Sequence, residues 1–107
     1  MNETLRRVQT LVLAGAVEVS DHGYDELGKD AILMGDALAG IATAFAVEDY
    51  PDRHRGPSVL TLQQDANGRP VHVVWAITAD RSTAVLVTAY RPDPKLWDSD
   101  FKQRKPK

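Results

Sequence analysis

His72, Tyr90 and Arg91 are the residues best able to move protons and hold phosphate in this chain, and all three lie in or beside two β-branched, aromatic-rich runs. Metal-independent cleavage of RNA needs a base for the 2′-hydroxyl, cationic donors for the charge on phosphorus and an acid for the leaving oxygen. His72 supplies an acid or base, Tyr90 an orienting hydroxyl, and Arg91, together with Arg69, a phosphate contact. Thr88 and His22 are further candidates, and Arg53 and Arg55 flank His54 in a basic Pro- and Gly-bounded loop suited to tracking a nucleic-acid backbone. Each has a structural alternative. A strand histidine can simply be hydrogen-bonded, a tyrosine can bury its ring at a sheet end, and an arginine at a strand terminus can pair with a helix carboxylate. His22 can cap or pack at the start of a helix, and Trp75 and Trp97 can stack on bases or fill the core.

Two strands must position this set. Val71 to Ile77 and Ala84 to Tyr90, separated by the polar Thr78 to Thr83, read as an antiparallel hairpin. If paired residues have numbers that sum to 162, His72 lies opposite Tyr90, with Thr88 one pair further in beside Val74. A slip of one residue sets His72 against Ala89 and separates the constellation. Both registers are compatible with the pattern.

The remainder of the chain sets bounds. At 107 residues there is room for one domain with one core, residues 1–107, ending in a basic tail that frays from about residue 102. The absence of cysteine excludes disulfides, thiolate metal sites and cysteine nucleophiles, and is compatible with a reducing cytoplasm. No apolar run reaches the length of a membrane span. His22, His54 and His72 are too scattered for a metal site, and no glycine-rich phosphate loop or nucleophile elbow is present, so neither metal nor cofactor is expected. A net charge of −2 argues against a protein that coats nucleic acid through bulk charge. That charge is uneven. Residues 1–50 carry three bases against nine acids, and residues 51–107 carry ten against six.

In chain order, Asn2 or Thr4 caps a helix with Leu5, Val8, Leu11 and Val12 on one face, ended by Gly15. Val17-Glu18-Val19 reads as an edge strand or a linker. Ser20 and Asp21 cap a helix from about His22 that stops near Gly28, and Asp30 caps another through Ile41. Strands over Thr43–Tyr50 and Val59–Gln64 follow, and Asn67-Gly68 marks a tight turn into the central hairpin. Asp93 and Pro94 then open a short helix with Trp97 and Phe101 on one face. The expected fold is α+β: N-terminal helices packed on a four-stranded antiparallel meander, with a short C-terminal helix.

Ser-Asp-His at 20–22, Glu-Asp-Tyr-Pro at 48–51, Gly-Arg-Pro-Val-His-Val-Val at 68–74 and Val-Thr-Ala-Tyr-Arg-Pro at 87–92 together resemble the small bacterial family called domain of unknown function 4258. The resemblance covers about residues 18 to 101. It implies a RelE/ParE-type toxin fold, a class with many ribonucleases and some gyrase poisons. The partners implied are RNA or the ribosome and a small antitoxin protein. One departure is local to the first helix-opening His. Family members usually place an Arg four residues after it, where this chain has Glu26. The leading reading is a metal-independent ribonuclease of this fold, with His72 as acid or base and Arg91 on phosphate. That departure and the acidic pI favour the alternative, a non-catalytic module that binds a protein partner or forms a homodimer. A small-ligand pocket between helices and sheet is a third reading.

Overall fold

The structure is a computed structural model that describes residues 2–51 and 56–106. Helix α1 spans Glu3–Leu13, and Asn2 caps it by accepting the Leu5 N–H at 2.8 Å. Strand β1, Val17–Val19, leads into α2, Asp21–Lys29. The cap of α2 also anchors it: the Ser20 hydroxyl accepts the Gly23 N–H at 2.9 Å and donates to the Val87 carbonyl at 3.0 Å. Helix α3, Met34–Ala39, runs into a 3-10 turn over Gly40–Thr43. Strands β2, Phe45–Tyr50, β3, Ser58–Gln64, β4, Pro70–Ile77, and β5, Ala84–Tyr90, complete the fold.

The sheet has five strands in the order β1-β5-β4-β3-β2. The expected meander is present as β2 to β5, but β1 joins it beside β5 and runs parallel to it, so the sheet is mixed. Three residues are too few to show a strand period, and β1 is held by a partner far along the chain, from Ala84 to Leu86. The other corrections are local. Asp30 caps the C-terminus of α2 and does not open α3, because its carboxylate accepts the Arg91 backbone N–H at 2.7 Å. No helix follows Asp93. Residues 96–105 fold back on themselves instead, with Trp97 bridged to Arg104 and Phe101 at φ 61°. The single turn that Asp93 and Pro94 open ends there, with the Leu96 and Trp97 N–H groups on the Asp93 carbonyl. Among the described residues no helix is long and apolar enough to cross a membrane.

The sheet's two faces differ. One packs against the helices, where Val59, Val71, Val73, Trp75, Leu86 and Ala89 meet Val8, Leu27 and Ile41 in the core. That face also buries a polar knot. The Gln63 amide oxygen accepts the Trp75 indole N–H at 2.8 Å and lies 3.0 Å from the Thr61 hydroxyl, while its NH2 donates to the Ala37 carbonyl at 2.8 Å. These partners satisfy groups whose burial alone would be unfavourable. The alternation of strand side chains turns Leu60, Leu62, His72, Val74, Thr88 and Tyr90 to the opposite face.

Gly23 sets how closely α2 docks, since a Cβ there would lie 2.6 Å from the Leu86 carbonyl oxygen. Gly28, in the same helix, has open space around it. Gly23→Ala is expected to destabilise the fold by about 2 kcal/mol or more. Gly28→Ala is expected to be neutral or mildly stabilising. Urea denaturation of the two variants measures the difference, and equal midpoints would contradict close docking at Gly23.

Candidate functional site

Pairing of β4 with β5 follows the register that joins the predicted residues: His72 opposes Tyr90, Val73 opposes Ala89 and Val74 opposes Thr88. A bulge after Val74 then shifts the register so that Trp75 opposes Leu86. The irregularity lets Trp75 and Leu86 join the helix-side core while His72 and Tyr90 share the other face.

Residues 97–104 cover His72 on that face. The imidazole is completely buried, and Nε2 lies 2.8 Å from the Phe101 carbonyl oxygen. A carbonyl only accepts, so this bond places the proton on Nε2 and leaves Nδ1 to accept from the Tyr90 hydroxyl at 3.2 Å. The Trp97 ring stands edge-on to the imidazole at 4.4 Å between centroids, and Tyr90 does so at 5.3 Å. Burial pushes the imidazole pKa below its ordinary value, with the Phe101 carbonyl opposing that shift. Burial also raises the Tyr90 phenol. The ring is therefore a neutral, fully bonded member of a second small core.

Three polar residues not anticipated from the sequence complete the cluster. Glu48 on β2 receives the Arg104 guanidinium through two bonds, at 2.9 and 3.3 Å, and the Tyr50 hydroxyl. The Arg104 bonds hold the Glu48 carboxyl below the usual carboxylate range. Arg104 also lies over the Trp97 ring at 4.7 Å, so one side chain ties β2 to the cover. The spacing of Glu48 and Tyr50 on an edge strand hints at a shared face, but the partnership with Arg104 spans 56 positions and leaves no local signal.

The other candidates lie elsewhere. Arg91 donates to the Asp65 carboxylate at 2.9 Å, and its side chain is only 22% exposed. Backbone N–H groups of Arg69 and Asn67, together with Arg91, hold the Asp65 carboxyl below the usual range, the Arg69 bond contributing most. Arg91 thus joins the β3–β4 turn and the end of α2 to β5, the structural fate of a strand-terminal arginine. Arg69 contributes its backbone N–H to that turn and has an exposed side chain. Thr88 is half-buried on the His72 face. His22 is 64% exposed on α2, across the sheet from His72, and lies 3.9 Å from Glu26. Arg53, His54 and Arg55 lie outside the described residues. Among the described residues no three His, Asp or Glu side chains are grouped as metal ligands.

The fold and this cluster define a small α+β domain with a buried, hydrogen-bonded histidine on the non-helical face of a mixed sheet. The sequence pattern of a family described as domain of unknown function 4258 matches residues 19–91, more than half of the chain, and the protein belongs to that family. No curated protein and no solved structure matches it. The matched span holds His72, Tyr90, Arg91 and Glu48, whereas Trp97, Phe101 and Arg104 of the cover lie beyond its end.

Because the folded His72 pKa is lowered, the unfolded state binds its proton first as the solution is acidified. Stability from this group is full above the ordinary imidazole pKa of about 6.5 and is lost as pH falls through that value toward the folded pKa. Glu48, also lowered, adds its loss only at more acidic pH, below the ordinary carboxylate value. The expected outcome is that urea stability declines between neutrality and about pH 5 in the wild type. The slope in that window should flatten in His72→Gln. The same slope in both proteins would contradict a neutral, buried His72.

Proposed function

We propose that this domain is a non-catalytic interaction module that binds a protein partner, with His72 and Arg91 as parts of its scaffold. The observation that carries this reading is the state of His72, which is fully buried with both ring nitrogens engaged by Tyr90 and Phe101. A general acid or base has to reach the proton it transfers. Arg91 is likewise committed to Asp65. The partner surface we assign is the hollow between α2 and α3, where Tyr24 and Leu33 are 63% and 70% exposed beside Met34. Exposed Asp21 and Asp25 on α2 suit a partner that presents an apolar anchor flanked by basic residues.

One observation favours a second reading, a metal-independent ribonuclease on a RelE/ParE-like fold. His72, Tyr90, Glu48 and Arg104 gather on one sheet face, which brings an acid, a base and a cation together. Residues 97–104 would have to lift away for RNA to reach them.

The deciding experiment is an RNA-cleavage assay in EDTA, with the protein free and with translating ribosomes, on wild type, His72→Ala and Trp97→Ala. The interaction module predicts no cleavage by any of the three. Cleavage by wild type or Trp97→Ala that disappears when His72 is replaced would overturn it in favour of the ribonuclease. A wild-type complex with the product of a neighbouring gene, weakened at least tenfold by Leu33→Ser with the fold retained, is the positive result expected of the module.

A further inference from the structure

The first half of the chain is strongly acidic, yet two of its three bases, Arg6 and Arg7, face the same groove as a third arginine from the β4–β5 loop, Arg81. The groove lies between α1 and the end of the central hairpin, with Leu11 and Ile77 in its wall and a volume of about 390 Å3. That is within the size of ordinary small-molecule sites, roughly 300–1,000 Å3. Ile77 closes β4 five residues beyond His72, so the groove is separate from the histidine cluster by about five strand residues, on the order of 16 Å.

The charges do not cancel. Glu3 is the acid in the groove wall, and it is paired with Arg7 at 2.9 Å. The Arg6 side chain is exposed, and its guanidinium has no hydrogen bond or ion pair with a described residue. Arg81 uses Nη1 to reach the Thr78 and Ala79 carbonyls at 3.4 and 3.2 Å, which aims the guanidinium while leaving its other N–H groups available. Neighbouring Asp80 is turned to the loop itself, accepting from Ser82 and Thr78 side chains, and its pKa is pushed down to about 2. Asp80 thereby rigidifies the loop that presents Arg81.

Arg81 has φ of 65°, a left-handed conformation that glycine adopts freely and an arginine does at a cost. The loop engages Nη1 alone, and the turn itself is closed by the Arg81 backbone N–H on the Thr78 carbonyl at 2.8 Å. A charged side chain held at a position that suits glycine points to a use for that side chain.

We propose that Arg6, Arg7 and Arg81 form a binding site for an organic phosphate with two or more negative charges and a flat apolar body, such as a nucleoside diphosphate. The guanidinia take the phosphates through paired N–H donors, and the body lies along Leu11. This site is independent of the partner-binding reading and of the His72 face.

Calorimetric titration of the full chain with pyrophosphate and with ADP tests it, using wild type, Arg81→Gly and Arg6→Ala. ADP should bind more tightly than pyrophosphate, and its affinity should fall as salt is raised. Each substitution should weaken ADP binding about tenfold or more. Arg81→Gly should at the same time keep or raise the thermal midpoint, since glycine suits the left-handed position. That combination separates loss of a ligand contact from loss of fold. No ADP binding at millimolar concentration, or equal affinity in wild type and both variants, would overturn the site. Binding of a single-stranded oligonucleotide without any binding of ADP would also overturn the small-ligand assignment.

Discussion

The pairing of β4 with β5 is the constraint on which the rest of the structure depends. Its register and its single bulge decide which side chains face the helices and which face away. Before the bulge, His72 and Tyr90 share the non-helical face, and Val73 and Ala89 are in the core. Beyond it, Trp75 and Leu86 join the core together. A continuous register from His72 to Ile77 would keep Trp75 opposite Val87, a residue that is only half-buried. The bulge therefore reconciles a large core side chain on β4 with a fully buried one on β5.

Both faces of this hairpin bury polar groups, and both solve the resulting problem locally. On the helix side, Gln63 satisfies the Trp75 indole and the Ala37 carbonyl, linking β3, β4 and α3. On the other side, His72 is satisfied by Tyr90 and by the Phe101 carbonyl, while Glu48 and Arg104 pin the cover to the edge strand. Buried polar groups with every partner in place add specificity for one arrangement of the surrounding elements. So bonded, His72 links the Tyr90 hydroxyl on β5 to the Phe101 carbonyl of the cover. The same chemistry that makes imidazole useful in catalysis, one donor and one acceptor nitrogen, makes it suited to joining a side-chain hydroxyl to a backbone carbonyl.

Charge is distributed in keeping with this division. Acidic residues on α2 surround its exposed tyrosine, and arginines gather at the far end of the sheet beside α1. The two surfaces thus differ in charge, and each is separate from the buried histidine cluster. Family membership rests on residues 19–91, so α1 and the C-terminal cover are contributed by parts of the chain outside the matched span.

Much of the framework follows from local sequence. Asn2 and Ser20 have side chains that accept helix N–H groups, Gly15 and Gly68 take the positive φ their turns require, and the alternation of β-branched residues marks β3, β4 and β5. These features depend on residues a few positions apart, and they were legible for that reason. The pairing of His72 with Tyr90 was one of two registers the pattern allowed, because strand alternation alone does not count residues across a loop. Other features depend on distant partners. The parallel strand β1 exists because Ala84 to Leu86 offer it a ladder, and Arg91 meets Asp65 and Asp30 only in the folded chain. The expected C-terminal helix gave way to a cover because Trp97, Phe101 and Arg104 find partners in His72 and Glu48. Short-range periodicity thus determined most of the helices and strands, but not β1 or the C-terminal cover. Tertiary contacts alone decided that His72 is buried with both ring nitrogens engaged, because its partners Tyr90 and Phe101 lie 18 and 29 positions away.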